Sequence, residues 1–304
     1  QMVFNHLIGV RFPVGPPLFQ KELMRLCRIG KPNEEKPAII DSNNVYRDLT
    51  SIIKDLNPET LNFETIEAIK KIQLSKLPII DSKNRIGPCV SRPSKFIGIG
   101  LNFIDHAKEQ NLPIPKEPII FSKFVNCLSG PNDDIIIPKH SKKTDWEVEL
   151  GFVIGKKASY VDENNAIDHV LGFFLVNDVS ERDFQKNKGL TWDKGKGFDT
   201  FGPIGPYILT KDELTNYQKL NMYLDVNGKR MQKGNTEQMI FNIKKLVSYM
   251  SHCMTLYPGD ICCTGTPPGV GENMNPQRFL KNGDEIKLGI DKLGVQNHKV
   301  KSYK

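Results

Sequence analysis

Apolar residues along this chain fall mostly in short runs bounded by turn residues, and few stretches repeat with helical spacing. Lys95–Gly100, Ile119–Phe124, Ile135–Ile137, Leu150–Ile154, Phe174–Val176 and Ile261–Cys263 have the length and β-branched or aromatic content of strands. Met222, Leu224 and Val226 alternate with Tyr223 and Asp225 and run into Asn227-Gly228, a two-residue hairpin signal. Gly283–Ile290 and Leu293–Asn297 read as a closing hairpin. Helical spacing is clearest over 237–252 and over 60–74, where Phe63, Ile66 and Ile69 share a face and Thr60 or Asn62 supplies a cap. Shorter helices are predicted over Phe19–Cys27, from Asn102 onward and from Ser180 to Gln185, and Met2–Phe12 reads as mixed strand. The pattern predicts a mixed, mainly β fold. A closed or rolled sheet with peripheral helices suits it better than an alternating α/β sheet. Residues 1–88 read as a small N-terminal α+β region ahead of a catalytic domain over 89–304.

Composition narrows the function. The 42 basic and 35 acidic residues leave a formal charge of +7, carried by scattered lysines rather than a basic stripe. No nucleic-acid motif accompanies it, so the excess reads as solubility and local attraction for an anionic substrate. The six cysteines form no Cys-x-x-Cys pair and match neither a zinc site nor a disulfide scaffold; Cys262-Cys263 reads as core. No run reaches the roughly 18 apolar residues of a membrane span, and no signal peptide is visible. Gln1 stands before Met2, an order compatible with a targeting segment trimmed upstream.

The candidate chemistry centres on Thr144–Leu150. Glu147 and Glu149 sit two apart at the start of an apolar strand and therefore face one side. Asp178 ends the second apolar run. Three carboxylates in such a setting repel one another, and a divalent cation with oxygen ligands, Mg²⁺ or Mn²⁺, relieves them. The competing interpretation is the wet face of an edge strand. His106 and Glu109 are i,i+3 neighbours on the short helix, a spacing that suits a general-base pair and equally a surface salt bridge. Lys186, Lys188, Lys194 and Lys196 alternate with Gly189, Gly195 and Gly197, as a mobile loop that closes over an anion would. Thr264–Gly271 packs glycines, prolines and threonines into a rigid turn whose N–H and hydroxyl groups, Thr266 included, suit a carboxylate oxygen. His252 reads as a helix-terminal histidine.

Several of these pieces occur in an order that resembles the fumarylacetoacetate hydrolase superfamily over residues 89–300. They are Gly98-x-Gly100-Leu101-Asn102-Phe103-x-Asp105-His106-x-x-Glu109, Glu147-x-Glu149, Asn177-Asp178-Val179-Ser180-x-Arg182-Asp183-x-Gln185, Lys196–Phe201 and Gly265-Thr266-Pro267-x-Gly269-Val270-Gly271. The run from His106 to Phe124 is most similar to an animal branch whose members look like mitochondrial oxaloacetate tautomerases. The resemblance implies a β-roll catalytic domain, a homodimer, and Mg²⁺ or Mn²⁺ on Glu147, Glu149 and Asp178. It implies catalytic roles for His106, Glu109 and Lys196, and substrate contacts from Arg182, Gln185 and Thr266. It implies small anionic 2-oxo acid substrates, with oxaloacetate enol–keto tautomerisation as the first expectation. Acylpyruvate C–C hydrolysis, oxaloacetate decarboxylation and a metal-stabilised scaffold are the alternatives. A mitochondrial location follows from the resemblance alone, with the cytoplasm as the other choice. The chain departs from many members at Phe124, where they carry proline, and in the length of Lys186–Lys194.

Overall fold

Ten strands join in one sheet whose middle carries the longest apolar runs of the chain. The computed structural model describes residues 23–304, so the strand expected over Met2–Phe12 lies outside the described residues. In chain order the strands are β1 (Arg25–Ile29), β2 (Lys36–Ile40), β3 (Tyr46–Asp48), β4 (Ile79–Ile80), β5 (Phe96–Gly100), β6 (Ile119–Lys123), β7 (Ile135–Ile137) and β8 (Val148–Ile154). They continue as β9 (Val170–Asn177), β10 (Ile208–Thr210), β11 (Asn221–Val226), β12 (Lys229–Asn235), β13 (Ile261–Cys263), β14 (Glu285–Ile290) and β15 (Gly294–Ser302). The large sheet runs β4-β3-β2-β1-β10-β9-β8-β13-β5-β6, and a second sheet runs β12-β11-β14-β15-β7. Every residue of β8 and β9 is buried. That is what an apolar run covered on both faces requires. Phe152, Phe173 and Phe174 share one continuous core with Leu224 and Leu288 of the second sheet. The result is the mixed, mainly β roll with peripheral helices that the pattern predicts.

The N-terminal strands continue the large sheet through the pairing of β1 with β10, Arg25 opposite Leu209 and Leu26 opposite Ile208. The helix expected over Phe19–Cys27 is not formed in its described part. Leu26, Cys27 and Ile29 are buried, β2 pairs along the whole of β1, and β10 pairs with Arg25 and Leu26 on the other edge. Charge also ties this region down. Glu35 bridges Arg28 and Arg85, which in turn hold Asp55 at 2.6 Å and Asp133 at 2.6 Å. The Asn227-Gly228 turn has φ of 52° and 73°, the positive values a type I′ hairpin needs.

Helix α1 (Phe63–Lys70) takes Asn62 as its cap, with Ile66 and Ile69 buried. Helix α2 (Ile104–Glu109) leaves β5, and α3 (Arg182–Lys186) and α4 (Asp193–Lys196) follow β9. The longest helix, α5 (Ile243–Cys253), starts six residues later than the predicted 237, capped by Asn242. Its lead-in is a short 3₁₀ turn at Thr236–Gln238 followed by a bend, which one side chain pins. Buried Asn102 accepts from Phe241 N–H at 2.8 Å and donates to the carbonyls of Phe241 at 3.1 Å and Thr264 at 2.8 Å. Asn102 therefore does not cap α2, which begins after Phe103 without a side-chain cap. Asn102→Ala leaves an N–H and two carbonyls without this partner, at about 1–3 kcal/mol per unsatisfied buried group. Urea unfolding should show a loss of roughly 3 kcal/mol; a loss below about 1 kcal/mol would mean the corner is held by something else.

Candidate active site

The β8–β9 hairpin brings the predicted carboxylates together. Val148 lies opposite Asn177 and Glu149 opposite Val176. Glu147 just precedes β8 and Asp178 just follows β9, and Asp178 N–H donates to the Glu147 carbonyl at 2.9 Å. All three side chains are buried. Strand β13 runs beside β8 with Cys263 opposite Gly151. Ligand atoms of Glu149, Asp178 and Cys263 lie within 4.8 Å of one another. Cys263, read from the sequence as core, thus also belongs to the site. Glu147 adjoins that group, and cations hold both of its oxygens as they hold both of Asp178's.

Those cations come from three other segments. Lys196 of α4 places Nζ 2.7 Å from Glu147 Oε2 and 2.6 Å from Asp178 Oδ2. Lys123, at the end of β6, donates to Asp178 Oδ1 at 2.6 Å. Arg182 of α3 reaches Glu147 Oε1 at 2.7 Å and Asp145 Oδ2 at 2.9 Å. Burial alone would raise the Glu147 pKa, but Lys196 and Arg182 outweigh it and hold the carboxyl below its usual range. Burial likewise opposes the charge on Lys196, and Asp178 and Glu147 overcome it, so the ammonium persists. Glu149 is the opposite case. Burial, then Asp178 and Glu147, push its pKa well above the usual range. Its hydrogen bond from Gly265 N–H, at 2.7 Å, does not reverse this. Lys123, Arg182 and Lys196 match the charges of Asp145, Glu147 and Asp178, and a bound cation would take the place of the proton that burial and the neighbouring acids hold on Glu149.

On α2 the i,i+3 spacing is realised as a pair. His106 is buried, and its Nδ1 lies 2.9 Å from Glu109 Oε2. The Gln110 amide nitrogen lies 2.7 Å from His106 Nε2. An amide donor at Nε2 assigns the ring proton to Nδ1, where Glu109 accepts it. Glu109 also accepts from Gly269 N–H at 2.9 Å and Asn273 Nδ2 at 3.0 Å. Burial would raise its pKa, but the bonds from His106, Asn273 and Gly269 hold it below the usual range. The burial of His106 and the support given to Glu109 separate the pair from an incidental surface ion pair. His252 stands apart from the site, with Nδ1 on the Ser248 carbonyl of its own helix at 2.8 Å.

The 264–272 loop uses its N–H groups in a way the sequence did not suggest. Besides Gly265 on Glu149 and Gly269 on Glu109, Gly271 and Glu272 N–H donate to Asp145 at 2.7 and 2.9 Å. The donors expected to meet a substrate carboxylate are therefore spent on the protein's own. Gly269 is obligatory there, with φ of +100° and space for a Cβ only 2.0 Å from the Met231 carbonyl oxygen. The Thr266 hydroxyl donates to the Val148 carbonyl at 3.0 Å and accepts from Gln232 at 2.8 Å.

A cavity of ≈ 200 Å³ opens over this assembly. His106, Glu147, Glu149, Arg182, Gln185, Lys196 and Thr266 line it. Glu109 lies behind His106, and Asp178 beneath Lys196. Trp192 of the lysine-rich segment also lines it, seated where a Cβ on Gly100 would come within 2.3 Å. Of the four lysines in that segment, Lys196 enters the carboxylate cluster, and Lys186 reaches Glu272 at 2.6 Å. A larger concavity of ≈ 860 Å³ follows the outer strand β6 and its apolar neighbours Phe124 and Val125. It lacks the paired carboxylates and histidine of the smaller one. Sequence reasoning passed over Lys123, Asp145, Gln110 and Cys263. Only Lys123 left a trace, a lone charge two residues from Phe121 in an apolar strand.

Buried acids in cation-binding arrangement, with a supported histidine at a small cavity, define a metal-assisted enzyme. The chain belongs to the fumarylacetoacetate hydrolase family: residues 95–301 match the family described as Fumarylacetoacetate (FAA) hydrolase C-terminal. A Burkholderia cenocepacia protein named only generically as a hydrolase is 52% identical over 274 residues, covering 90% of this chain and 97% of that one. Fumarylacetoacetate hydrolase from Exiguobacterium antarcticum superimposes with a TM-score of 0.82 at 29% identity, over 92% of this chain and all of the other. Maleylpyruvate hydrolase from Sphingobium sp. SYK-6, solved with manganese and pyruvate, superimposes with a TM-score of 0.77 at 27% identity, with the same coverage. The chain is a metal-assisted enzyme of the isomerase or hydrolase type.

The raised Glu149 carboxyl must lose its proton to take a cation, so Mn²⁺ affinity should increase as pH rises toward neutrality and above. Calorimetric titration at several pH values should show this, and Glu149→Gln should bind Mn²⁺ at least about tenfold more weakly. A pH-independent affinity, unchanged in the variant, would remove Glu149 from the metal site.

Proposed function

We propose that this enzyme hydrolyses a C–C bond in a small acylpyruvate-type 2-oxo acid. The observation that carries this reading is the His106–Glu109 pair, held at 2.9 Å at the cavity wall and braced by Gln110, Gly269 and Asn273. A water-activating base needs that kind of support. Glu149 and Asp178 would hold Mg²⁺ or Mn²⁺, with Glu147 adjoining, and the ion would supply Lewis-acid polarisation of the 2-oxo group. His106 Nε2 takes a proton from water placed where the Gln110 amide now sits, while Glu109 keeps Nδ1 protonated and stabilises the imidazolium. The same Nε2 proton is then available to the carbon that leaves. Lys196 and Arg182 face the enolate charge that develops on the departing fragment. Arg182 Nη2 is buried without a hydrogen-bond partner, a donor suited to a substrate carboxylate. Gln185 orients that guanidinium by accepting from Nη1 at 3.0 Å. The committed Thr266 hydroxyl shapes the wall rather than offering a free proton. The outer strand β6, with Phe124 and Val125 about half exposed, suits a second copy of the chain in a homodimer.

Oxaloacetate enol–keto tautomerisation is the second reading, favoured by the similarity of the His106–Phe124 run to the animal branch. It needs proton transfer beside a polarised carbonyl but no activated water. The hydrolases among the structural relatives, and the support given to His106, favour hydrolysis as our first reading.

Two assays on one Mn²⁺-loaded preparation separate the readings. Acetylpyruvate or fumarylpyruvate absorbance should fall with matching release of pyruvate, while decay of the oxaloacetate enol stays near background. His106→Ala should lower kcat for cleavage by roughly 10²–10⁴ with a smaller change in KM. Fast enol–keto conversion without cleavage would install the tautomerase. Net pyruvate from oxaloacetate would indicate decarboxylation, and inactivity on all these acids with metal bound would favour the scaffold.

A further inference from the structure

We propose that Trp192 is a specificity-determining residue whose indole closes the acyl side of the active-site cavity, so that the enzyme takes acylpyruvates with a small, slender acyl group and rejects aryl ones. This rests on the reading of the site as an acylpyruvate hydrolase.

An aromatic ring packed over a glycine is ordinarily core filling. Three observations set Trp192 apart. First, two cavities share it. Ile119, Phe121 and Trp192 line both the ≈ 200 Å³ cavity over the carboxylates and the ≈ 860 Å³ concavity along β6, so these side chains form the partition between them. Second, β5 is shaped to seat that partition. Gly98 and Gly100 lie two apart on the strand and face one side. A Cβ on Gly98 would come within 2.1 Å of the Phe121 ring, and one on Gly100 within 2.3 Å of the Trp192 ring. The two rings meet with centroids 5.6 Å apart, tilted by 50°. Third, the two rings are held differently. Phe121 is buried in β6, opposite Gly98. Trp192 is half-buried and follows residues 186–191, all of them exposed. Its neighbour Asp193 sets its place by accepting from Ser122 N–H at 2.8 Å.

The position of the wall decides which part of the substrate meets it. Lys196 Nζ lies 5.0 Å from the centre of the Phe121 ring. The partition therefore starts beside the cations that face the pyruvoyl end and runs outward from Phe121 to Trp192. An acyl group beyond the scissile bond meets the apolar surfaces of Ile119 and Trp192. At ≈ 200 Å³ the cavity is smaller than the about 300–1,000 Å³ of sites that hold drug-sized ligands. A methyl ketone fits beside the pyruvoyl unit, whereas a phenyl ketone runs into the indole, and overpacking of this kind is costly.

The test compares kcat/KM for acetylpyruvate and benzoylpyruvate on the Mn²⁺-loaded full chain. The unaltered enzyme should favour acetylpyruvate by at least about tenfold. Trp192→Ala should raise the benzoyl-to-acetyl ratio at least about tenfold. Trp192→Phe, which keeps a ring over Gly100 and guards against misfolding, should raise it less. Leu190→Ala, on the same segment and fully exposed, should leave the ratio unchanged. Calorimetric titration of both acids into Mn²⁺-loaded His106→Ala, with and without Trp192→Ala, should show the same shift in the ratio of dissociation constants. Equal cleavage of the two acids by the unaltered enzyme overturns the wall without recourse to any variant. An unchanged ratio in folded Trp192→Ala overturns it too and leaves hydrolysis standing. Cleavage of neither acid removes hydrolysis, and the binding ratio then decides the wall alone: a shift upholds it, while no shift, or no binding of either acid, overturns it.

Discussion

Repulsion among Glu147, Glu149 and Asp178 is the constraint around which the chain is arranged. Three acids at one end of a buried hairpin cannot remain ionised without compensation, since each carries a desolvation cost of several kcal/mol. The hairpin itself supplies no cation. Lys123 arrives from the outer strand β6, Arg182 from α3 and Lys196 from α4, and each makes a contact of 2.6–2.7 Å. Removing one member of such a network exposes another as an unpaired buried charge. The cluster therefore stands or falls as a unit, and the segments that carry its cations are held to the sheet by electrostatics as much as by packing.

A second layer of order comes from the main chain. The 264–272 loop directs four N–H groups at Glu149, Glu109 and Asp145. One rigid loop thus sets the positions of an acid in the metal cluster, the acid behind His106 and the acid behind Arg182. The loop's prolines restrict it, and its positive-φ glycines let the backbone approach the acids closely. Rate-determining geometry in such a site depends on a segment that need not touch substrate.

Much of this was legible in the linear sequence. The short apolar runs marked the central strands, Asn227-Gly228 marked its hairpin, and the nine proposed site residues converge on or directly behind one cavity. Period and spacing report such features because they are local. What escaped was fixed by distant partners. Asn102 looked like a helix start, yet its amide belongs to Phe241 and Thr264. The threonine- and glycine-rich loop looked like a ligand nest, and its acceptors proved to be acids up to 160 residues away. Cys263 read as an ordinary core position, and Lys123 as a lone charge in an apolar strand, until the sheet order placed β6 and β13 near β8. The early residues around Leu26 followed helix spacing in isolation and became a strand because β2 and β10 offered both edges.

The origin of the cations has a consequence for how the molecule folds. Pairing of β8 with β9 is comparatively local in sequence, and Lys196, only 18 residues from its acceptor Asp178, brings part of the counter-charge with it. Lys123 lies 55 residues from its acceptor Asp178, and the loop that binds Glu149 lies 116 residues away. The cluster therefore stays partly uncompensated until these remote segments dock. The catalytic end of the roll is completed late in assembly, and its completion reports that the surrounding chain has reached its native arrangement.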